Sequence, residues 1–324
     1  MENLILSFNI IAPLLIYMLI GAFLAKIGLV TDEFRQKMNK ILVKLIIPCN
    51  ICRNLYVADL SNMLKAVYVP YAVLSNMAFF FAFYFVCKHF IKDPARLGSF
   101  VQGVTRGNGV IFGIPLCEAV FGTGTAEMAL TLAVLVPYYN TFEIVMIEAC
   151  GQKAEAARNG VEAGKIKINW KRLGKKLITN GILWGVFFGL LINFTKLPVP
   201  EFADTVINKI GGCVSPLAFM MAGSAFSFKA AKQDSRLITI GVAIKLVFLP
   251  LVFMLPPILW GWKNEILLAM LVSFATPTAI TSYPMAKAAG CDGQLASELV
   301  AFSTGLSMFS IFLWIFGFKS FGLL

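Results

Sequence analysis

The chain has 324 residues, of which 58% are hydrophobic and 14% are charged, with a mean hydropathy of +0.79 and a formal net charge of +11. This composition is far more apolar than that of a water-soluble protein and excludes a large soluble domain. The basic residues lie in short loops between apolar segments, so the positive charge indicates membrane topology and excludes a nucleic-acid-binding protein.

Apolar segments long enough to cross a bilayer recur along the whole chain. A membrane helix needs about 20 mostly apolar residues, and lipid-exposed segments must be helical because an open strand edge cannot face lipid. We therefore predict an all-α integral membrane protein with ten transmembrane helices. The first five spans are 4–25, 38–55, 66–87, 97–120 and 128–147. The second five are 177–192, 206–226, 237–259, 266–289 and 299–316.

The basic residues predict how these spans are oriented. Lys and Arg are concentrated in the loops after odd-numbered spans, above all in the segment 151–176 with its eight basic residues. By the positive-inside rule these loops are cytoplasmic. We expect a multi-pass protein of the cell (plasma) membrane in which both termini are extracytoplasmic and the central basic loop is cytoplasmic.

The two halves of the chain carry matching landmarks. We divide the chain into an N-terminal five-helix repeat at 1–150, the basic loop at 151–176 and a C-terminal five-helix repeat at 177–324. The matched pairs, at offsets of 168 or 169, are Gly21 with Gly189, Pro48 with Pro216, Asn108 with Pro277 and Pro115 with Pro284. Because each repeat has an odd number of spans, the second is inverted relative to the first, which is typical of alternating-access transporters.

Spans 4 and 9 are poor continuous helices. Proline and glycine both disfavour a helix interior, so we predict a break in each span, with Pro115 and Pro284 in the first turn of the half-helix that follows. Two such N-termini, with their free N–H groups, would hold an anion near the membrane midplane. The candidate binding residues are Asn108, Gly109, Gly113, Pro115, Pro277, Thr278, Thr281, Ser282 and Pro284. A packed proline kink is the alternative.

Other polar residues within spans are weaker candidates. Asn50, Ser215 and Asn140 are added as substrate-binding residues, with ordinary interhelical hydrogen bonding as the alternative. Four ionisable residues are candidates for coupling or gating, namely Arg106, Glu118, Glu143 and Lys287, with helix capping as the alternative for Glu118. Lys44 and Lys245 also lie within spans, where snorkelling toward the interface is the alternative.

Several classes of function are excluded by missing motifs. No HExxH, no GxSxG within a span and no paired intramembrane aspartates are present, so an enzyme is not expected. The CxxC of Cys49 and Cys52 lacks a second pair, and the seven cysteines show no disulfide framework. We therefore expect no metal site and no cofactor, while coupling to H⁺ or Na⁺ stays open.

Four short motifs resemble those of the auxin efflux carrier family. They are Lys44-Leu-Ile-Ile-Pro48, Gly113-Ile-Pro-Leu116, Ser215-Pro216-Leu217 and Ala275-Thr-Pro277-Thr278. The resemblance implies two inverted five-helix repeats in a bile-acid symporter-like fold, whose broken helices 4 and 9 cross mid-membrane. It also implies that a carboxylate binds at that crossing, where Asn108 matches a binding asparagine of the family.

These observations together predict a secondary-type transporter that moves a small organic anion across the cell membrane by alternating access. The resemblance implies a carboxylate such as malate or malonate, or an auxin-like acid. A channel or a substrate sensor on the same fold is the alternative. The expected partners are this small carboxylate and the lipid bilayer, with no nucleic acid, and a homodimer stays open.

Overall fold

The structure is a computed structural model that describes residues 2–58, 67–160, 171, 175, 178–225 and 235–324. The regular elements in these ranges are helices, in agreement with the predicted all-α class. Part of the predicted basic loop, at 161–170, 172–174 and 176–177, lies outside the described residues, as do the predicted span ends Ala66, Leu177 and Phe226.

The first half of the chain contains eight α-helices within the described residues. They are α1 Glu2–Lys26, α2 Asp32–Ile41, α3 Ile47–Tyr56, α4 Tyr68–Phe90, α5 Pro94–Thr105, α6 Gly109–Phe121, α7 Ala126–Tyr138 and α8 Ile144–Arg158. Short π-helical segments, Leu42–Ile46 and Tyr139–Glu143, join α2 to α3 and α7 to α8. Helix α8 continues into the first residues of the predicted basic segment, as far as Arg158, because these residues are rich in alanine with Lys and Glu, which favour a helix.

The second half is helical in the same way. Its described helices are α9 Gly181–Thr195, α10 Glu201–Gly212, α11 Val214–Ser224, α12 Ser235–Ala243, α13 Leu249–Leu259, α14 Asn264–Ala275, α15 Ser282–Ala289 and α16 Gly293–Ser320. A π-helical segment, Ile244–Phe248, joins α12 to α13.

Six continuous helical stretches in the described residues are long and apolar enough to cross a membrane. They are Asn3–Lys26, Tyr68–Phe90, Ala126–Arg158, Glu201–Ser224, Ser235–Leu259 and Gly293–Ser320. They coincide with predicted spans 1, 3, 5, 7, 8 and 10. The other four predicted spans are not single long apolar helices: spans 4 and 9 are broken, α9 is short, and α2 is polar.

Pairs of helices approach closely through glycines. A Cβ atom at Gly21 of α1 would lie 1.9 Å from the carbonyl oxygen of Met220 in α11. A Cβ atom at Gly189 of α9 would lie 2.7 Å from the carbonyl oxygen of Cys52 in α3. Only a residue without a side chain allows such backbone contact, as is common between membrane helices.

The apolar interior consists of two clusters, and each broken span contributes to both. Phe112 of α6 and Phe274 of α14 lie in the first cluster. Phe100 of α5 and Ala286 of α15 lie in the second. Because spans 4 and 9 each change cluster where their helices break, the two breaks lie where the clusters meet.

Candidate functional site

The breaks in spans 4 and 9 are paired with each other. Residues 106–108 separate α5 from α6, and residues 276–281 separate α14 from α15. Gly107 and Thr278 form an antiparallel β-bridge. The amide of Asn108 donates to the Pro277 carbonyl at 2.8 Å, and the amide of Ala279 donates to the Arg106 carbonyl at 3.1 Å. The two breaks therefore hydrogen-bond each other's backbone, and we call this paired region the crossing.

The local sequence explains why the chain leaves the helix here. Thr276 precedes proline and adopts the extended conformation that such a residue prefers, with φ −71° and ψ 149°. A Cβ atom at Gly107 would lie 2.8 Å from Oγ1 of Thr276, so glycine allows the two strands of the crossing to approach. Asn108 lies between Gly107 and Gly109 and directly precedes α6.

The position of Pro115 differs from the prediction. It is the seventh residue of α6, inside the helix, and not in its first turn. Gly107 and Gly109 end the preceding helix earlier than the proline would, and α6 accommodates Pro115 without a break. Pro284, in contrast, is the third residue of α15 and lies in its first turn as predicted.

The N-termini of α6 and α15 carry buried donors without partners. Neither helix has a side-chain cap on its first turn. The side-chain amide nitrogen of Asn108 and the hydroxyl of Ser282 are both buried and, among the described residues, have no hydrogen-bond partner. An unsatisfied buried polar group costs about 1–3 kcal/mol. Together with the helix dipoles, these donors form a place where an anion would be stabilised.

Arg106 and Glu143 form a buried ion pair beside the crossing. The guanidinium Nη1 of Arg106 lies 3.4 Å from Oε2 of Glu143, and Thr105 donates to Oε1 of Glu143 at 3.0 Å. Arg106 also donates to Oδ1 of Asn140 at 3.0 Å and to the Tyr139 carbonyl at 3.2 Å. The π-helical segment that joins α7 to α8 thus supplies these three acceptors for Arg106, and such segments are frequent at functional sites.

Lys245 adds a second buried cation. Its side chain is 1% exposed, and its ammonium donates to the Thr105 carbonyl at 3.4 Å and interacts electrostatically with Glu143. Two cations therefore lie beside one carboxylate at the crossing. This arrangement leaves one positive charge that an anionic ligand would balance.

The other residues predicted at the crossing differ in whether their side chains are free to bind a ligand. Thr278 is occupied, because its hydroxyl donates to the Gly103 carbonyl at 2.5 Å and its amide donates to Ser303 at 3.0 Å. Gly113 packs against α14, where a Cβ atom would lie 2.5 Å from Val272. Thr281 is exposed.

Asn50 and Ser215 lie apart from the crossing. Both bind Glu118, which is nine residues beyond Gly109 on α6 and hence about 14 Å along the helix. Asn50 donates to Glu118 at 2.7 Å, and the Ser215 hydroxyl also donates to this carboxylate. The predicted residues Asn50, Ser215 and Glu118 therefore form one cluster of their own, at the end of α6 away from the crossing.

Lys287 lies in a cavity of about 470 Å³ between α15 and α16. The cavity is also lined by Tyr283, Gln294 and Glu298. Glu298 is 1% exposed, and its Oε1 accepts a hydrogen bond from Gln294 at 3.1 Å.

Two residues of the crossing were not selected from the sequence. Lys245 was recognised only as an ionisable residue within a span, although its place eight residues inside an apolar segment argues against snorkelling. Ser303, which accepts from the Thr278 amide, has no sequence signal, because serine is common in membrane helices.

Comparison with known proteins identifies relatives along nearly the whole chain. A family described as membrane transport protein matches residues 6–315, which include both halves and the crossing. An uncharacterized transporter of Methanothermobacter thermautotrophicus is 21% identical over 310 residues, covering 95% of this chain and 97% of the relative. An uncharacterized transporter of Methanocaldococcus jannaschii is 24% identical over 315 residues, covering 94% of this chain and 97% of the relative.

Proposed function

Because the chain belongs to the auxin efflux carrier family of membrane transport proteins, we propose that it moves a small organic anion across the cell membrane by alternating access. It is a multi-pass membrane transporter and not an enzyme. We place the substrate at the crossing.

One observation carries this proposal, namely the pair of unpartnered donors at the two interior helix N-termini. The Asn108 amide nitrogen and the Ser282 hydroxyl are buried without hydrogen-bond partners among the described residues. The two oxygens of a carboxylate are acceptors only, so one carboxylate could accept from both donors. The helix dipoles of α6 and α15 favour the same negative charge.

The charges beside the crossing support an anion over a cation or a neutral solute. Arg106 and Lys245 are both buried, and Glu143 balances one of them. A bound monoanion would bring the group to neutrality, whereas a bound cation would leave two uncompensated charges. An auxin-like monocarboxylate, or malonate or malate bound as its singly protonated anion, fits this charge.

For the fold we propose ten transmembrane helices in two inverted five-helix repeats. The glycine contacts support this arrangement, because they are reciprocal. Span 1 packs on span 7 at Gly21, and span 6 packs on span 2 at the matched residue Gly189. The first span of each repeat thus packs against the second span of the other repeat.

Two cavities suggest how the substrate reaches the crossing from either side. One, of about 250 Å³, lies beside the C-terminal end of α6, and the other, of about 470 Å³, lies beside α15. In the proposed topology these ends point to opposite faces of the membrane. We propose that alternating access moves the two apolar clusters relative to each other, so that one route is open at a time.

The test is flux of labelled malonate, malate and an auxin-like acid into proteoliposomes that contain the purified protein. Saturable counterflow is expected for at least one of these acids, and it separates a carrier from a channel or a sensor. Asn108→Ala should raise KM about ten- to a hundredfold, since a hydrogen bond to a charged group contributes about 1.5–3 kcal/mol.

Asn193→Ala is the matched control. Asn193 is also buried, but its amide donates to the carbonyls of Leu55, Tyr56 and Ala58, away from the crossing. This variant should lower stability and leave KM unchanged. An unchanged KM in Asn108→Ala, or flux without saturation, would contradict the proposal.

A further inference from the structure

Glu118 joins the helix that carries one half of the proposed substrate site to two other helices. It lies on α6, and its carboxylate accepts hydrogen bonds from Asn50 of α3 at 2.7 Å and from Ser215 of α11. Each of these partners is next to, or two residues from, one of the repeat-matched prolines, Pro48 and Pro216. The contact therefore lies between elements of both halves of the chain.

The hydrogen bonds around Glu118 continue beyond its two direct partners. The Asn50 amide nitrogen also donates to the Gly211 carbonyl of α10 at 3.2 Å, and the Asn54 amide donates to Oδ1 of Asn50 at 2.8 Å. Asn50 is thereby fixed in orientation, with its donor toward the carboxylate. The geometry suits an ionised Glu118, which can accept both bonds.

The cluster borders a polar cavity of about 250 Å³. Its wall includes Glu118 and Asn50, together with Gly122, Thr123 and Gly212. The last three residues are exposed at the surface. Glu118 is partly exposed toward this cavity, so protons can reach its carboxylate from the surface.

The charged groups around the cluster leave Glu118 without a counterion among the described residues. Arg53 of α3 lines the same cavity, but it is paired with Asp204 of α10 at 3.0 Å. Helix α11 carries no charged side chain, and the two charged residues of α1, Glu2 and Lys26, are its first and last residues. On α7 and α14, Glu127 and Glu265 act electrostatically on Cys117, the neighbour of Glu118, and so add negative charge.

On the basis of the proposed function, we propose that Glu118 is the binding site of a coupling proton, so that one H⁺ moves with each substrate anion. The step is a simple protonation, in which the carboxylate takes one H⁺ from the cavity and, after the conformational change, releases it on the opposite side of the membrane. No other bond is formed or broken.

A proton suits this cluster better than a metal ion does. Both carboxylate oxygens of Glu118 face donors, the Asn50 amide and the Ser215 hydroxyl, and a cation would be repelled by the amide hydrogens. Within the described residues, no group of three or more His, Cys, Asp or Glu side chains could hold a metal ion.

Protonation would change how firmly α6 is held. Charge-assisted hydrogen bonds are roughly twice as strong as neutral ones, so ionised Glu118 ties α6 to α3 and α11 more strongly than protonated Glu118. Because α6 begins at the crossing, loosening its far end would affect the substrate site. Proton binding and substrate movement would thus be linked through one rigid helix.

The test uses proteoliposomes with the voltage held at zero by K⁺ and valinomycin, and labelled malonate as the probe. A pH gradient of one unit should drive about tenfold accumulation for one H⁺ per substrate, and an external pH dye should report proton uptake with substrate. Glu118→Gln should abolish gradient-driven accumulation while counterflow persists. Glu155→Gln, which alters an exposed carboxylate of α8 outside the cluster, should behave like the unaltered protein.

Three results would overturn the proposal. They are accumulation driven by a Na⁺ gradient alone, no proton uptake with substrate by the unaltered protein, and full pH-driven accumulation by Glu118→Gln. The dye measurement does not depend on whether the variant folds. Counterflow by the unaltered protein tests the proposed function separately, so a carrier without proton coupling is distinguished from a protein that does not carry malonate.

Discussion

Burial of the Lys245 ammonium at the crossing costs free energy. A lysine ammonium buried in an apolar environment is strongly unfavourable unless it is compensated. Lys245 is 1% exposed, yet the carboxylate beside it, Glu143, is already bound by Arg106 and Thr105. We propose that the substrate anion compensates the buried positive charge of Lys245.

Lys245→Met therefore provides a residue-scale prediction. The variant leaves Arg106 and Glu143 balanced, so substrate binding should lose about 1.5–3 kcal/mol, and KM should rise about ten- to a hundredfold. Lys44→Met is the control, because Lys44 also lies in a π-helical segment but is exposed. Equal KM values for the two variants in counterflow assays would show that the buried cation does not attract the substrate.

At the scale of the element, the crossing depends on the close approach of two broken spans at Gly107. Gly107 pairs with Thr278 in a β-bridge, and the neighbouring Asn108 and Pro277 share a hydrogen bond. Any side chain at position 107 would meet Thr276. The position of both interior N-termini follows from this contact.

Gly107→Ala should consequently impair both folding and transport. Its Cβ atom would lie 2.8 Å from Oγ1 of Thr276, and such overpacking costs about 1–3 kcal/mol. Lower thermal stability in detergent and slower counterflow are expected. Gly317→Ala in α16 has open space around its Cβ atom and should retain both properties; transport by Gly107→Ala at the unaltered rate would mean that the close approach is dispensable.

The elements also show what the sequence could and could not predict. The breaks near Asn108 and Pro277 were predictable, because glycine and the residue before proline have local conformational preferences. The prediction that Pro115 lies in the first turn of α6 was wrong, because Gly107 and Gly109 end the preceding helix several residues before the proline. The grouping of Asn50 and Ser215 with Glu118 depends on contacts between residues 68 and 97 positions apart, which local patterns do not encode.

At the scale of the whole molecule, the number of spans decides the topology. The six long apolar helices alone would put residues 27–67 on one side of the membrane and 196–200 on that same side. In the proposed ten-span arrangement, the chain crosses the membrane again at Asp32–Tyr56 and at α9. Residues just after these two segments then lie on the opposite side from Ile27.

Single cysteines distinguish the two topologies. In a Cys213→Ser background, which removes the exposed thiol among the described cysteines, Val57→Cys and Leu197→Cys should react with a membrane-impermeant maleimide on intact cells. Ile27→Cys should react only after the membrane is permeabilised. All three side chains are at least half exposed, so accessibility on the protein itself does not decide the result. Labelling of Val57→Cys and Leu197→Cys only after permeabilisation would favour six spans and would contradict the two inverted five-helix repeats.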